Sequence, residues 1–278
     1  NKLGSSHLFF SGKYNLGYYS SSQDSLTADE FIPVASIGLT SHYTSQDRRF
    51  LSYDTAQVNI EGKTMQYIDQ FYQNKYYNNA VDDSITFRSI KNILSLSLRE
   101  GFKPWVKFGL TGFIEHEYRK FNMIDIIDGE LNRRTHNENA IFVGGILNKQ
   151  QGEYLRFNVR ADFGLVGASL GELKLEGDVE TRYKIAGKLT TLSAHAYIKN
   201  LTSNYLQNNY RSKYFGWNND FSDSRRVFLG GKLDIPFTKT IVSAGEENIQ
   251  NHIYFDSDRN ITQSGDNVQV LMAKINQR

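Results

Sequence analysis

The feature that most constrains this chain is a two-residue alternation that runs through most of its length. In Leu173-Lys174-Leu175-Glu176-Gly177-Asp178-Val179-Glu180-Thr181-Arg182-Tyr183-Lys184-Ile185 the odd positions are apolar, small or aromatic, and the even ones are charged, apart from Gly177 and Thr181, which carry no apolar bulk. Successive side chains of a strand point to opposite faces, so the segment presents one apolar face and one charged face. The beat recurs in about eleven segments, near 7–20, 31–50, 84–100, 104–121, 135–149, 153–167, 171–186, 188–201, 225–237, 239–256 and 264–277. Apolar residues toward lipid and polar ones toward a wet lumen are the mark of a transmembrane β-barrel. A soluble sandwich makes the same beat with its apolar faces turned inward. The expected fold is all-β: an antiparallel up-and-down transmembrane barrel, one domain over 1–278.

Composition leaves the barrel open and closes other routes. Only 39% of the residues are hydrophobic, and the longest clean apolar run, Ala140 to Leu147, falls far short of the roughly 18 residues of a membrane helix. A barrel needs no such run, because alternate residues alone meet lipid. The formal net charge is +2 with no basic block, so nucleic acid is not an expected partner. The absence of cysteine excludes disulfides, thiol catalysis and Cys-ligated zinc. Three prolines suit long uninterrupted strands. The 17 Tyr and 18 Phe suit aromatic girdles at membrane interfaces.

The connections carry a second signal. Tight ones fall at Gly101-Phe102-Lys103, Lys149-Gln150-Gln151-Gly152, Ala186-Gly187-Lys188 and Pro236-Phe237-Thr238-Lys239; longer ones fall near 51–83, 122–134, 202–224 and 257–263. Short turns on one side and long loops on the other are the habit of outer-membrane barrels, with 168–170 an exception here. Segments 51–83 and 202–224 are expected to be outer loops that carry partner recognition and are cut first by protease. The stretch 64–79 lacks the beat and fits a short helix.

No catalytic constellation stands out. In Glu115-His116-Glu117 the central His points opposite to its neighbours on a strand, so the three do not share a site. Trp217-Asn218-Asn219-Asp220 and Asp256-Ser257-Asp258 carry calcium-type ligands without the spacing of a binding loop. No phosphate loop or nucleophile elbow is present. No metal, cofactor or catalytic residue is expected. The one functional constellation is the charged face, and the candidate pore-lining residues are Lys107, Glu115, Glu117, Arg156, Arg160, Asp162, Glu172, Lys174, Glu176, Asp178, Glu180, Arg182 and Lys184. In a pore such residues set the local field and solute preference. On the opposite face Val106, Phe108, Leu110, Phe157, Val159, Leu165, Leu173, Leu175, Val179, Leu229 and Leu233 are expected to meet lipid. At Ala140–Leu147 both faces look apolar, and the alternation assigns neither.

The run Leu94-Ser95-Leu96-Ser97-Leu98-Arg99-Glu100-Gly101-Phe102, followed by Trp105-Val106-Lys107-Phe108-Gly109-Leu110-Thr111, resembles the putative porin family of Bacteroidota outer membranes. So do Lys149-Gln150-Gln151-Gly152, Ala194-His195-Ala196-Tyr197-Ile198-Lys199-Asn200-Leu201-Thr202, Phe215-Gly216-Trp217-Asn218-Asn219-Asp220-Phe221 and Ser243-Ala244-Gly245-Glu246-Glu247-Asn248-Ile249-Gln250-Asn251. The resemblance implies a Gram-negative outer-membrane location, lipid around the barrel, and small solutes passing through it by diffusion. Family members are longer, which together with an odd strand number implies an internal fragment of a larger barrel. A TonB-dependent transporter barrel and a non-conducting structural or adhesin barrel share the pattern. The first would need a plug domain; the second, a blocked lumen. Nothing in the sequence speaks for a particular oligomer.

Overall fold

The alternation resolves into long strands, the first five longer than their sequence segments and most of the later ones shorter. The computed structural model describes residues 2–20, 30–52, 57–60, 63–66, 76, 81–127, 130–185 and 187–277. In chain order the first strands are β1 (Lys2–Ser20), β2 (Glu30–Ser52), β3 (Gln57–Ile60), β4 (Lys63–Gln66), β5 (Val81–Leu98), β6 (Gly109–Ile127) and β7 (Glu130–Lys149). They are followed by β8 (Leu155–Gly167), β9 (Leu173–Ile185) and β10 (Lys188–Leu201). A single turn of helix, α1 (Tyr205–Asn208), precedes β11 (Asn209–Arg211) and β12 (Gly216–Asn218). The chain ends with β13 (Ser224–Ile235), β14 (Thr240–Gln250), β15 (Ile253–Phe255), β16 (Ile261–Gln263) and β17 (Val268–Gln277).

Eleven of these form one antiparallel sheet in the order β1-β2-β5-β6-β7-β8-β9-β10-β13-β14-β17, each pairing with the next long strand in the chain. This is the expected up-and-down meander. Its edges, β1 and β17, are not paired with each other, so the sheet is open. The remaining strands make three two-stranded ribbons, β3–β4, β11–β12 and β15–β16, within the connections. The connections 53–80, 202–223 and 251–267, the three longest, all lie at one end of the sheet, here the loop end; 99–108, 150–154, 186–187 and 236–239 lie at the turn end.

Three expectations need correction. The segment 122–134 is not a loop: β6 and β7 run on until Ile127 pairs with Glu130. The two residues between them in the sequence, Asp128-Gly129, are the signal of a two-residue hairpin. The strand expected from 104 begins at Gly109, and 99–108 is a folded turn in which Gly101 N–H donates to Val106 O at 3.0 Å and Val106 N–H to Lys103 O at 3.0 Å. The strand expected to reach 256 ends at Gln250, and Ile253–Phe255 pairs instead with Ile261–Gln263. The helix expected in 64–79 falls mostly outside the described residues; Lys63–Gln66 is a strand.

The two faces of the sheet are buried in the reverse of a soluble sandwich. On the polar face Phe113, Glu115, Phe121, Met123, Ala140 and Phe142 are buried. The apolar face is bare: Leu94, Leu96, Leu110, Ile114, Leu229 and Leu271 are all more than half exposed. No helix among the described residues is long and apolar enough to cross a membrane, which says nothing about strands that do.

Candidate pore-lining face

The register of β8 on β9 brings the charged positions together. Arg156 lies opposite Glu180, Asn158 opposite Asp178, Arg160 opposite Glu176 and Asp162 opposite Lys174, so all eight side chains share one face. Directly opposed unlike charges would pair across the ladder. Between β8 and β9 the pairs run otherwise, whereas across β9 and β10 His195 meets the directly opposite Asp178. Arg160 bonds Asp162 at 2.9 Å and Arg182 bonds Glu180 at 2.7 Å, each two residues along its own strand. Across β9 and β10, Lys199 Nζ reaches Glu176 at 3.1 Å and His195 Nδ1 reaches Asp178 at 2.8 Å.

The same face continues over β5–β7. Lys91 Nζ sits 2.7 Å from Glu115, and Glu117 accepts from Arg119 at 2.8 Å and from Ser89 Oγ at 2.8 Å. Arg119 is also 3.6 Å from Glu138 on β7. Both signs alternate along the wall, so its field is mixed. The ambiguous run Ala140–Leu147 now divides cleanly. Phe142 and Gly144 face inward, covered by the Lys174 ammonium 4.6 Å above the Phe142 ring, while Val143 and Leu147 face outward and are exposed. An apolar inner position survives because a neighbour's cation covers it.

Two aromatic rings on this face reach over glycines. A Cβ at Gly144 would come 2.3 Å from Phe113 Cζ, and one at Gly230 would come 2.6 Å from Phe228 Cζ. Glycine at these positions lets each ring rest on backbone instead of projecting. The Arg160 guanidinium covers Phe113 at 4.7 Å. Beside Phe228 the wall forms a depression of about 940 Å³, lined among others by Arg156, Asp178, His195, Lys232 and Lys274.

The structure places most predicted lining residues on the inner face of the sheet: Glu115, Glu117, Arg156, Arg160, Asp162, Lys174, Glu176, Asp178, Glu180, Arg182 and Lys184. Two lie outside it. Lys107 belongs to the turn 99–108, as do the lipid candidates Phe108 and Val106, the latter buried. Glu172 precedes β9 in a connection that folds back over the inner face, where it pairs with Lys174 at 3.0 Å and accepts from Thr202 Oγ1 at 2.6 Å. Gly167, at φ +85°, makes that reversal: a Cβ there would meet Asn139 O at 1.8 Å. Of the calcium candidates, Asp256 accepts from the backbone N–H groups of Asp258 and Asn260 at 3.0 and 2.8 Å, which is the work of a turn.

Sequence reasoning missed one element. Segment 202–223 does not stand clear of the rim but turns onto the inner face. Tyr205 of α1 is buried in a cluster with Phe121 and Met123 of β6, and its ring stacks on His136 of β7 with centroids 3.8 Å apart and planes 6° apart. Arg211 reaches Asp125 at 3.5 Å, which Arg134 also holds at 3.0 Å. The signal was a local apolar cluster on this face: Ile85, Phe87, Phe121 and Met123 interrupt the polar positions at the loop end of β5 and β6.

A meander with one bare apolar face and one wall of mixed charge is the construction of a membrane β-barrel wall. The chain belongs to the putative porin family, whose profile matches residues 1–278. No curated protein matches it. A solved structure, CdiB from Acinetobacter baumannii, aligns over 88% of this chain with 10% identity and a TM-score of 0.41; the aligned part is 40% of that chain.

Proposed function

We propose that the chain forms wall and mouth of a passive channel in a Gram-negative outer membrane, through which small solutes diffuse along the charged face. The observation that carries this reading is the reversed burial of the sheet: bare leucines on one face, a solvated ladder of ion pairs on the other. Only a surrounding lipid phase makes the bare face favourable, and only a wet lumen makes the charged face so. The loop end, where the long connections gather, faces outside. Arg156, Arg160, Lys174, Glu176, Asp178 and Glu180 line the path, and their mixed signs give weak ion selectivity. No chemistry on the solute is part of this reading. Planar-bilayer recordings of the full-length protein test it: discrete conductance steps with a small reversal potential in a salt gradient are expected, and a membrane that stays silent would sink it. A second reading, a non-conducting structural or adhesin barrel, draws support from the folded segment 202–223 at the mouth, and the same recording separates the two.

A further inference from the structure

We propose that segment 202–223 is the size filter of this lumen, a strap across the loop-end mouth with Tyr205 as its positioning residue. The inference rests on the channel reading above and deepens it. The strap leaves β10 and returns to β13, yet its contacts lie on distant strands. Lys213 N–H donates to Asp83 of β5 at 3.1 Å, Arg211 pairs with Asp125 of β6, and Tyr205 stacks on His136 of β7. From β10 to β5 is five strand spacings, roughly 24 Å along the sheet. A connection between adjacent strands has no need to travel so far.

The strap is also built to hold a shape. Asn204 and Gln207 close a capping box on α1, with Leu206 N–H donating to Asn204 Oδ1 at 2.9 Å and Asn204 N–H to Gln207 Oε1 at 2.8 Å. Tyr210 and Trp217 stack across the β11–β12 ribbon at 4.4 Å, and Trp217 Nε1 donates to Leu206 O at 3.1 Å. Other connections brace it from two sides. Tyr76 donates its N–H to Lys213 O at 2.8 Å and its hydroxyl to Gly216 O at 3.1 Å. Gln263 exchanges hydrogen bonds with the backbone of Ser222 at 3.1 and 2.7 Å. The wall itself supplies an independent argument. Phe87, Phe121 and Met123 are apolar on a face meant for water, and burial under Tyr205 and Leu206 accounts for them. A rigid strap seated there takes cross-section from the lumen, so solutes pass between it and the remaining wall.

The test uses the full chain with Tyr205→Ala, which removes the seated ring, and Tyr205→Phe, which keeps it. One readout is single-channel conductance. The other is labelling of Ser193→Cys, on the inner face of β10, by polyethylene-glycol maleimides of rising mass added to intact cells; the chain has no other cysteine. Tyr205→Ala should raise conductance about twofold and admit larger maleimides, while Tyr205→Phe matches the parent. Unchanged conductance and an unchanged labelling limit in a heat-resistant Tyr205→Ala barrel would overturn the strap and leave the channel standing. A silent parent overturns the channel instead, and the labelling limit still decides the strap, because it needs an accessible wall and no ion flow.

Discussion

The two halves of the sheet are built to different lengths. β1, β2, β5, β6 and β7 run for 19, 23, 18, 19 and 20 residues, whereas β8, β9, β10, β13, β14 and β17 run for 13, 13, 14, 12, 11 and 10. A tilted strand crosses a bilayer in roughly 9–11 residues. The second half is therefore close to a bare crossing, and the first half exceeds it by about 7–14 residues, in β5, β6 and β7 at the loop end. The outward side chains change where the excess begins. On β6 they pass from Leu110 and Ile114 to His116, Tyr118, Lys120 and Asn122, with Ile124 and Ile126 beyond; on β5 from Leu98, Leu96 and Leu94 to Asn92 and, past Ile90, Arg88. Facing inward, the same excess carries Phe87, Phe121, Met123 and His136, the seat of the strap. Strand length, beyond the alternation itself, separates what spans from what receives the cap.

The largest test of this contrast is one charge placed on each half. Val179→Arg, on the outward face midway along β9, should cost about 2–4 kcal/mol in denaturant unfolding from lipid vesicles, and Ile126→Arg, outward and exposed on the β6 extension, within about 0.5 kcal/mol of zero. Equal costs would place the extension in lipid as well. Next come two glycines within the crossing. Gly144→Ala drives a methyl into Phe113 and should cost about 1–3 kcal/mol, while Gly112→Ala, with nothing within 4 Å, should be near neutral in the same assay. Smaller again is His136→Ala, which removes the stack on Tyr205 for about 0.5–1.5 kcal/mol; faster hydrogen exchange across 204–218, without loss of the heat-resistant barrel, is the expected reading.

A pH test bears on the strap. Burial pushes the Tyr205 phenol above its ordinary value, the nearby Asp125 and Glu138 adding to this while Arg134 opposes it. A folded value raised above the unfolded one gives stability that is complete below about pH 10 and is lost as pH rises through the folded value. The strap should therefore hold through neutral pH and loosen only in strong alkali, as followed by proteolysis at 202–223. The smallest effect concerns charge: Arg156→Glu, at an exposed inner position, should move the reversal potential slightly toward cations and leave unfolding unchanged, since such surface charges contribute about 0–1 kcal/mol.

Parity was legible from single residues, and so was the crossing. The charges of 156–162 and 174–182 share a face because two-residue periodicity is local, and the tight turns fix which strands are neighbours. Extents were less legible. The outward row of β6 is broken by Lys120 and Asn122 before Ile124 and Ile126 resume it, so 122–134 read as loop, yet cross-strand bonding of Asn122–Ile127 to Glu130–Thr135 carries it on as sheet. Partner choice within the charged face was not legible either: Arg160 takes Asp162 along the strand because its guanidinium is also drawn over Phe113. The strap was hidden most completely. Its Asn- and Tyr-rich sequence looks like any exposed loop, and only the fold brings Tyr205 to Phe121.

The seat of the strap also orders events in time. Lys213 and Asp83 meet across 130 residues of sequence, and the cost of closing so large a loop is met only by contacts that already exist at its far end. Those contacts are the extensions of β5, β6 and β7, which are shaped only when the β5–β6 and β6–β7 hairpins have zipped to their full length. The strap is accordingly the last piece to settle. In the channel proposed above, insertion would proceed around an unobstructed lumen, and the aperture would acquire its final width after the wall is standing.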